Sequence, residues 1–265
     1  MMAFPQYSTE VETLIKWCKE ENIPYFILGR GTNILVSDKG IEGLVIKMAG
    51  LGNMTVEGTT VTAESGANLS TVANAAYKAG LSGLEFASGI PGTIGGAVFM
   101  NAGAYGGEMC QVVRSCRYIT PAGEIKVATK DELDFSYRTS RFSGTDDVIL
   151  EATMELLPEN PDVIREKMDD YNSRRKQKQP LDMPSAGSTF KRPPGFFAGQ
   201  LIEECGLRGF RVGGAQVSEK HCGFVVNTGN ATCQDVVTLI KEVSRMIYEK
   251  KNVHLMPEVK VIGRK

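Results

Sequence analysis

Two glycine-rich runs hold the residues best suited to chemistry: Gly29-Arg30-Gly31-Thr32-Asn33 and Ser88-Gly89-Ile90-Pro91-Gly92-Thr93-Ile94-Gly95-Gly96. Glycine lets the backbone turn with positive φ or approach a ligand closely. Successive N–H groups exposed in such turns form concave anion sites. Two such loops in one domain could grip an extended diphosphate from two sides. Neither run is a standard phosphate motif. The pattern GxxxxGK[ST] is absent. Gly29-x-Gly31 has Ile34 where a dinucleotide fingerprint needs its third glycine, and the residues that follow read as strand rather than helix. The plain alternative is two independent hairpin turns, which ordinarily need fewer glycines than this.

Other chemistry is sparse. The only histidines are His221 and His254, and neither has the partner motif of a zinc site or a Ser-His-Asp triad, so no metal is expected. The six cysteines, Cys18, Cys110, Cys116, Cys205, Cys222 and Cys233, include no CxxC pair. They read as reduced thiols of a cytoplasmic protein. Acid–base groups are therefore expected among carboxylates, hydroxyls, lysines and arginines.

The composition is that of a folded chain. Of 265 residues 29 are glycine, and 17 of these fall between Gly29 and Gly107, where an even spread would put about 9. No Gly-X-Y period accompanies them, which excludes a collagen-like chain. Hydrophobic residues make up 42% and charged residues 23%, enough to bury a core. A net charge of −1 gives no basic field for nucleic acid. No apolar run approaches the roughly 20 residues of a membrane span, and the first residues lack the pattern of a signal peptide.

The elements that must position these loops alternate between helix and strand. Val11, Leu14, Ile15 and Cys18 form one apolar stripe of a first helix, with Thr9 to Glu12 spaced as a capping box. Strands are expected at 25–28, 34–36, 43–46, 59–63, 116–120 and 148–156, and a small-residue helix at 68–79 with Gly80 after it. A boundary reads at 157–161. Beyond it come a helix at 162–178 with Val163, Ile164, Met168 and Tyr171 on one face and a basic last turn suited to the helix dipole, a loop at 184–194, a helix near 198–205, and strands at 210–212 and 224–226. A long helix then runs from Thr232, burying Val236, Val237, Leu239, Ile240, Val243, Met246 and Ile247. Trp17 is expected in the core. The whole is α+β in two lobes, without an internal repeat.

The two glycine runs together resemble the FAD-binding domain of the vanillyl-alcohol-oxidase (PCMH) class. Further motifs narrow the resemblance: Asn101-Ala102-Gly103-Ala104-Tyr105-Gly106, Tyr137-Arg138-Thr139-Ser140-Arg141-Phe142, Ala186-Gly187-Ser188-Thr189-Phe190-Lys191-Arg192-Pro193 and Pro257-Glu258-Val259. With these the chain is similar, over its length, to the UDP-N-acetylenolpyruvoylglucosamine reductase family of peptidoglycan synthesis, which serves cell-wall biogenesis, cell shape and cell division. The resemblance is to the shorter form of that family, without the tyrosine-bearing loop insertion. Family members begin with a glycine-bearing strand before the first helix. This sequence starts just after that point, so that strand is expected to be missing.

The resemblance implies an FAD-binding domain over residues 1–157, itself two-lobed, and an α+β substrate-binding domain over 158–265 whose last segment returns to the flavin site. It implies non-covalent FAD, with NADPH as co-substrate and UDP-N-acetylglucosamine enolpyruvate reduced to UDP-N-acetylmuramate. FAD contacts fall on Gly29, Arg30, Gly31, Thr32, Asn33, Ser88, Gly89, Ile90, Pro91, Gly92, Thr93, Gly95, Gly96, Asn101 and Ala104. Substrate contacts fall on Tyr137, Lys191 and Arg192. Of the catalytic residues, Ser188 gives the proton, and Arg138 and Glu258 stabilise the enolate. A bare carboxylate would repel that enolate, so Glu258 helps only when protonated or when acting through Arg138 or water, in a setting made apolar by Met256 and Val259. A monomeric cytoplasmic enzyme, inserted in no membrane and bound to no nucleic acid, is the expectation. Two other readings fit the same scaffold. One is a sugar or alcohol oxidase; many of these attach FAD through a histidine in the flavin domain, and here no histidine precedes His221. The other is a non-catalytic nucleotide-binding module.

Overall fold

The computed structural model describes residues 1–264. The chain divides into two compact units, one made of Met1–Arg30 and Gly43–Ser173, the other of Gly31–Glu42 and the chain from Arg174 on.

The first unit carries two larger sheets beside two small two-stranded pairs. Met2–Ala3, Leu44–Lys47 and Tyr25–Leu28 form a parallel three-stranded sheet with Leu44–Lys47 in the centre. The helix Ser8–Glu20 lays Val11, Ile15 and Cys18 against Leu44, Ile46 and Leu51. The second sheet is antiparallel, in the order Ile125–Thr129, Val113–Ile119, Val148–Glu155, Thr60–Glu64, Met54–Glu57. The strand Thr60–Glu64 alternates between half-buried and buried positions, as a sheet with one packed face requires. Its buried Val61 and Ala63 meet Leu69, Val72, Ala73 and Ala76 of the helix Leu69–Lys78. Each fully buried branched side chain in such a core contributes about 1.5–3 kcal/mol.

The second unit has an antiparallel sheet in the order Ser185–Ser188, Phe224–Asn227, Ala215–Val217, Arg211–Val212. It is covered by the helices Ala198–Glu204 and Cys233–Lys251. A separate parallel pair joins Ile34–Val36 to Lys260–Ile262, which is why residues 31–42 belong to this unit. The long helix opens on a reciprocal cap: Asp235 N–H donates to Thr232 Oγ1 at 3.0 Å, and Thr232 N–H donates to Asp235 Oδ2 at 3.0 Å.

Several expectations need correction. The first element is not the helix but the strand Met2–Ala3, too short to leave a periodic pattern. The first helix starts at Ser8 on Tyr7, so Thr9 lies inside it and makes no cap. Glu10 instead reaches back to accept the Gln6 N–H at 2.6 Å. Ile94, Gly95 and Gly96, read as part of a glycine loop, open the helix Ile94–Phe99. The expected loop at 184–194 contains the strand Ser185–Ser188. The strands Met54–Glu57, Ile125–Thr129 and Ala215–Val217 had no sequence assignment; the first two are largely exposed sheet edges without clean alternation. Trp17 and Val163 are exposed, and Val236, Val237 and Met246 are only half-buried.

Candidate functional site

In the first unit the two glycine runs meet. Gly29 ends the Tyr25–Leu28 strand, and a Cβ placed on it would lie 2.7 Å from Thr93 Oγ1. Lys47 Nζ donates to the Gly29 carbonyl at 2.5 Å, and Arg30 Nη1 donates to Asn68 Oδ1 at 3.2 Å. Asn68 forms an antiparallel bridge with Thr93, and the next amide, Leu69 N–H, donates to the Gly92 carbonyl at 3.0 Å. The Thr93 side chain fills the space beside Gly29, whereas the nearest atom to a Cβ on Gly92 is Ile90 Cγ2, 4.0 Å away. The amides of Ile90, Gly92, Ile94 and Gly95 are spent within the protein, so what this cradle offers a diphosphate-bearing cofactor such as FAD is close approach to a backbone that is open at Gly92. Not every glycine of the cluster opens onto the cradle. A Cβ on Gly95 would meet Ser65 Cβ at 2.9 Å, and one on Gly107 would meet Phe86 at 2.4 Å. These two are glycines because elements pack there. The Ser88 hydroxyl is also committed inward, donating to the Glu85 carbonyl at 2.9 Å and accepting from Asn172 Nδ2 at 3.3 Å.

Arg138 sits at the tip of a two-residue turn in the same unit. Ser136 and Thr139 close the turn with reciprocal main-chain bonds of 3.1 and 3.2 Å. Arg138 takes a left-handed φ of 57°, a conformation that an L side chain rarely holds without support. Its Nη2 donates to the Gly103 carbonyl at 3.2 Å, and its guanidinium lies 5.0 Å from the exposed Tyr137 ring. Asn101 is buried just after the Ile94–Phe99 helix, and Ala104 lies in the small hairpin of Gly103–Ala104 with Gly107–Glu108.

The second unit holds Gly31, Thr32, Asn33, Ser188, Lys191, Arg192 and Glu258. Ser188 ends its strand after an irregularity in register, with Gly187 at φ 77°. Such a bulge re-aims the following side chain, and Ser188 is exposed. Glu258 N–H donates to the Thr189 carbonyl at 2.8 Å, and Lys191 N–H donates to the Met256 carbonyl at 2.8 Å. Asn33 Nδ2 donates to the Glu258 carbonyl at 3.3 Å. Ser188, Lys191, Asn33 and Glu258 are thus gathered where three segments meet. Val259 is buried there but Met256 is exposed, so the apolar setting expected for Glu258 is only half present. The Arg192 guanidinium lies 3.9 Å from the centre of the Phe197 ring.

Sequence reasoning missed Thr189. It is buried, its N–H donates to the Gly223 carbonyl at 2.8 Å, and its Oγ1 accepts the Val225 N–H at 2.9 Å. It locks Ser188 beside Glu258. Only its place between Ser188 and Lys191 could have marked it.

An FAD-binding domain model matches residues 1–129, and the C-terminal domain model of UDP-N-acetylenolpyruvoylglucosamine reductase matches residues 179–262. Together with the glycine cradle these define an FAD-binding oxidoreductase of α+β architecture. UDP-N-acetylenolpyruvoylglucosamine reductase of Caldanaerobacter subterraneus subsp. tengcongensis is 52% identical over 265 residues, covering 100% of this chain and 88% of the relative. That of Clostridium perfringens is 52% identical over 264 residues, covering 100% and 87%. The crystal structure of the Thermus caldophilus enzyme superposes with a TM-score of 0.83 at 33% identity, covering 98% of this chain and 91% of that one. The chain belongs to the UDP-N-acetylenolpyruvoylglucosamine reductase family.

Proposed function

We propose that this chain binds FAD non-covalently and reduces UDP-N-acetylglucosamine enolpyruvate to UDP-N-acetylmuramate at the expense of NADPH, a step of peptidoglycan synthesis. The observation that carries this reading is 52% identity along the whole chain to relatives bearing that name. FAD, when bound, supplies a hydride relay between NADPH and the enolpyruvyl group.

The chain's own residues do the rest. The backbone at Gly29, Gly31, Gly89 and Gly92, with Arg30, Thr32, Asn33 and Thr93, holds the cofactor's diphosphate. Hydride addition to an enolpyruvyl double bond pushes negative charge onto the adjacent carboxylate as an enolate. Arg138 offers that carboxylate a planar fork of donors and stabilises the charge as it develops. Ser188 delivers the proton to the substrate carbon from one face. Glu258, protonated or acting through Arg138 or water, joins Arg138 in stabilising the enolate. Tyr137, Lys191 and Arg192 bind the anionic substrate.

Six free thiols support a reducing, cytoplasmic setting. Among the described residues no helix is long and apolar enough to cross a membrane. We take the working unit to be a monomer, a point light scattering checks. The reaction itself is tested by following NADPH absorbance with FAD-loaded protein. Oxidation that depends on UDP-N-acetylglucosamine enolpyruvate is expected. Its absence, with flavin bound, overturns the assignment.

A further inference from the structure

Asn101 is 1% exposed and holds a left-handed φ of 42°. Its amide nitrogen carries two hydrogens. One goes to Glu108 Oε2 at 3.1 Å and the other to the Ser136 carbonyl at 3.1 Å. Its Oδ1 accepts the Cys110 N–H at 2.9 Å. Both donors of this amide therefore end on protein groups, and neither is left for a cofactor.

The bond to Ser136 matters because Ser136 and Thr139 close the turn that carries Arg138. On the other flank, the buried Ser140 Oγ donates to the Phe99 carbonyl at 2.9 Å. The guanidinium itself donates to the Gly103 carbonyl. One short segment, 99–103, thus grips the turn before Arg138, after it, and at its head group. A left-handed arginine persists only where its surroundings over-determine it. The Asn101 side chain reaches the turn from that segment, and it is anchored at its other two polar contacts by Glu108 and Cys110.

We propose that Asn101 is a positioning residue for Arg138, acting through the Ser136 carbonyl rather than on FAD. The proposal rests on the enolate-stabilising role of Arg138 given above. A guanidinium moved by about 1 Å is expected to cost on the order of 100-fold in the step it serves. Only the transfer to substrate uses Arg138, so only that half of the cycle suffers.

The experiment uses FAD-loaded full chain and reads the two halves separately by flavin absorbance: bleaching by NADPH, then recovery on adding UDP-N-acetylglucosamine enolpyruvate. Asn101→Asp removes both donors at constant size, and Ser140→Ala removes the opposite anchor. Expected are an unchanged oxidised flavin spectrum, bleaching within about 2-fold of the parent, and recovery slowed roughly 10- to 100-fold. Adding Asn101→Asp to Arg138→Ala then slows recovery no further than Arg138→Ala alone, as coupled residues behave. Lost flavin or a shifted spectrum in Asn101→Asp makes it a cofactor ligand and overturns the proposal, as does equal slowing of both halves. Should Asn101→Asp not fold, Ser140→Ala and Asn101→Ser decide, and unslowed recovery in both is fatal. If Arg138→Ala recovers at the parent rate while Asn101→Asp is slow, the role given to Arg138 has failed instead.

Discussion

The Thr189 carbonyl accepts the Glu258 amide hydrogen at 2.8 Å, which fixes Glu258 one residue from Ser188 by main chain alone. Such a bond does not depend on the protonation or rotamer of either side chain. The relative placement of proton donor and carboxylate therefore survives substitution of either one. Ser188→Ala should leave the fold, flavin binding and NADPH-driven bleaching intact, and slow flavin recovery by substrate roughly 10²–10⁴-fold, the range of a lost general acid. Ser188→Cys, which keeps a proton, should recover part of that rate. Stopped-flow absorbance measures both, and an unslowed Ser188→Ala refutes the proton-donor role.

Gly29 offers a test of the cradle. A methyl group there lies 2.7 Å from Thr93 Oγ1, and that oxygen is held in place because it accepts the Gly96 N–H at 3.4 Å at the helix start. Gly29→Ala should cost about 1–3 kcal/mol in stability through overpacking and weaken FAD binding. Removing the Thr93 side chain in the same protein should return part of the loss. Thermal melts and flavin-fluorescence titration report the two effects; a Gly29→Ala protein that melts and binds like the parent contradicts the contact.

His221 predicts a pH dependence. Its Nδ1 accepts the Gly223 N–H at 3.0 Å, and burial pushes its pKa below the ordinary 6.5. As pH falls, the unfolded chain takes up this proton first. Stability is thus fully present above about pH 6.5 and drains away as pH drops through the lower folded value. His221→Asn, whose Oδ1 can take the acceptor's place, should show a smaller fall in melting temperature between about pH 8 and 5.5. An equal fall in both proteins would show that the proton goes elsewhere.

Cysteine labelling follows from burial. Cys116 lies in the antiparallel sheet of the first unit, where loss of water pushes its pKa to about 12. Its thiolate fraction at neutral to mildly alkaline pH is on the order of 10⁻⁴ or less, and the thiolate is the reactive form. Cys110 and Cys233 are only half-buried. Mass spectrometry of native protein treated with a thiol reagent should find these two modified first and Cys116 last. Early modification of Cys116 would place it nearer solvent.

Much of the fold was legible wherever a pattern was local. The stripe of Val11, Ile15 and Cys18 and the glycine after the Leu69–Lys78 helix appear as expected, and the apolar run Tyr25–Leu28 forms its strand, though half-buried rather than buried. What was not legible depended on partners distant in sequence. The helix Ile94–Phe99 carries two glycines in its first turn that local propensity disfavours, and it forms because the Ile94 and Gly95 amides donate to the Ala67 and Ser65 carbonyls. The same holds at the candidate site. Residue type alone favoured bland readings of Arg138, Ser188 and Glu258, and only the family resemblance pointed to them, while Thr189 and the anchoring of Asn101 arise from chain crossings that no local spacing encodes.

The parallel pairing of Ile34–Val36 with Lys260–Ile262 sets an order on biosynthesis. The first of these strands leaves the ribosome early, and its partner is made more than two hundred residues later. Half-buried Leu35 of the finished protein must therefore wait uncovered on the nascent chain. Pairings this distant close slowly and leave apolar edges open to wrong partners. The second unit becomes complete only when residues 260–262 have been synthesised, so ribosomes stalled short of that point should display a first unit able to fold beside a second one still lacking a strand.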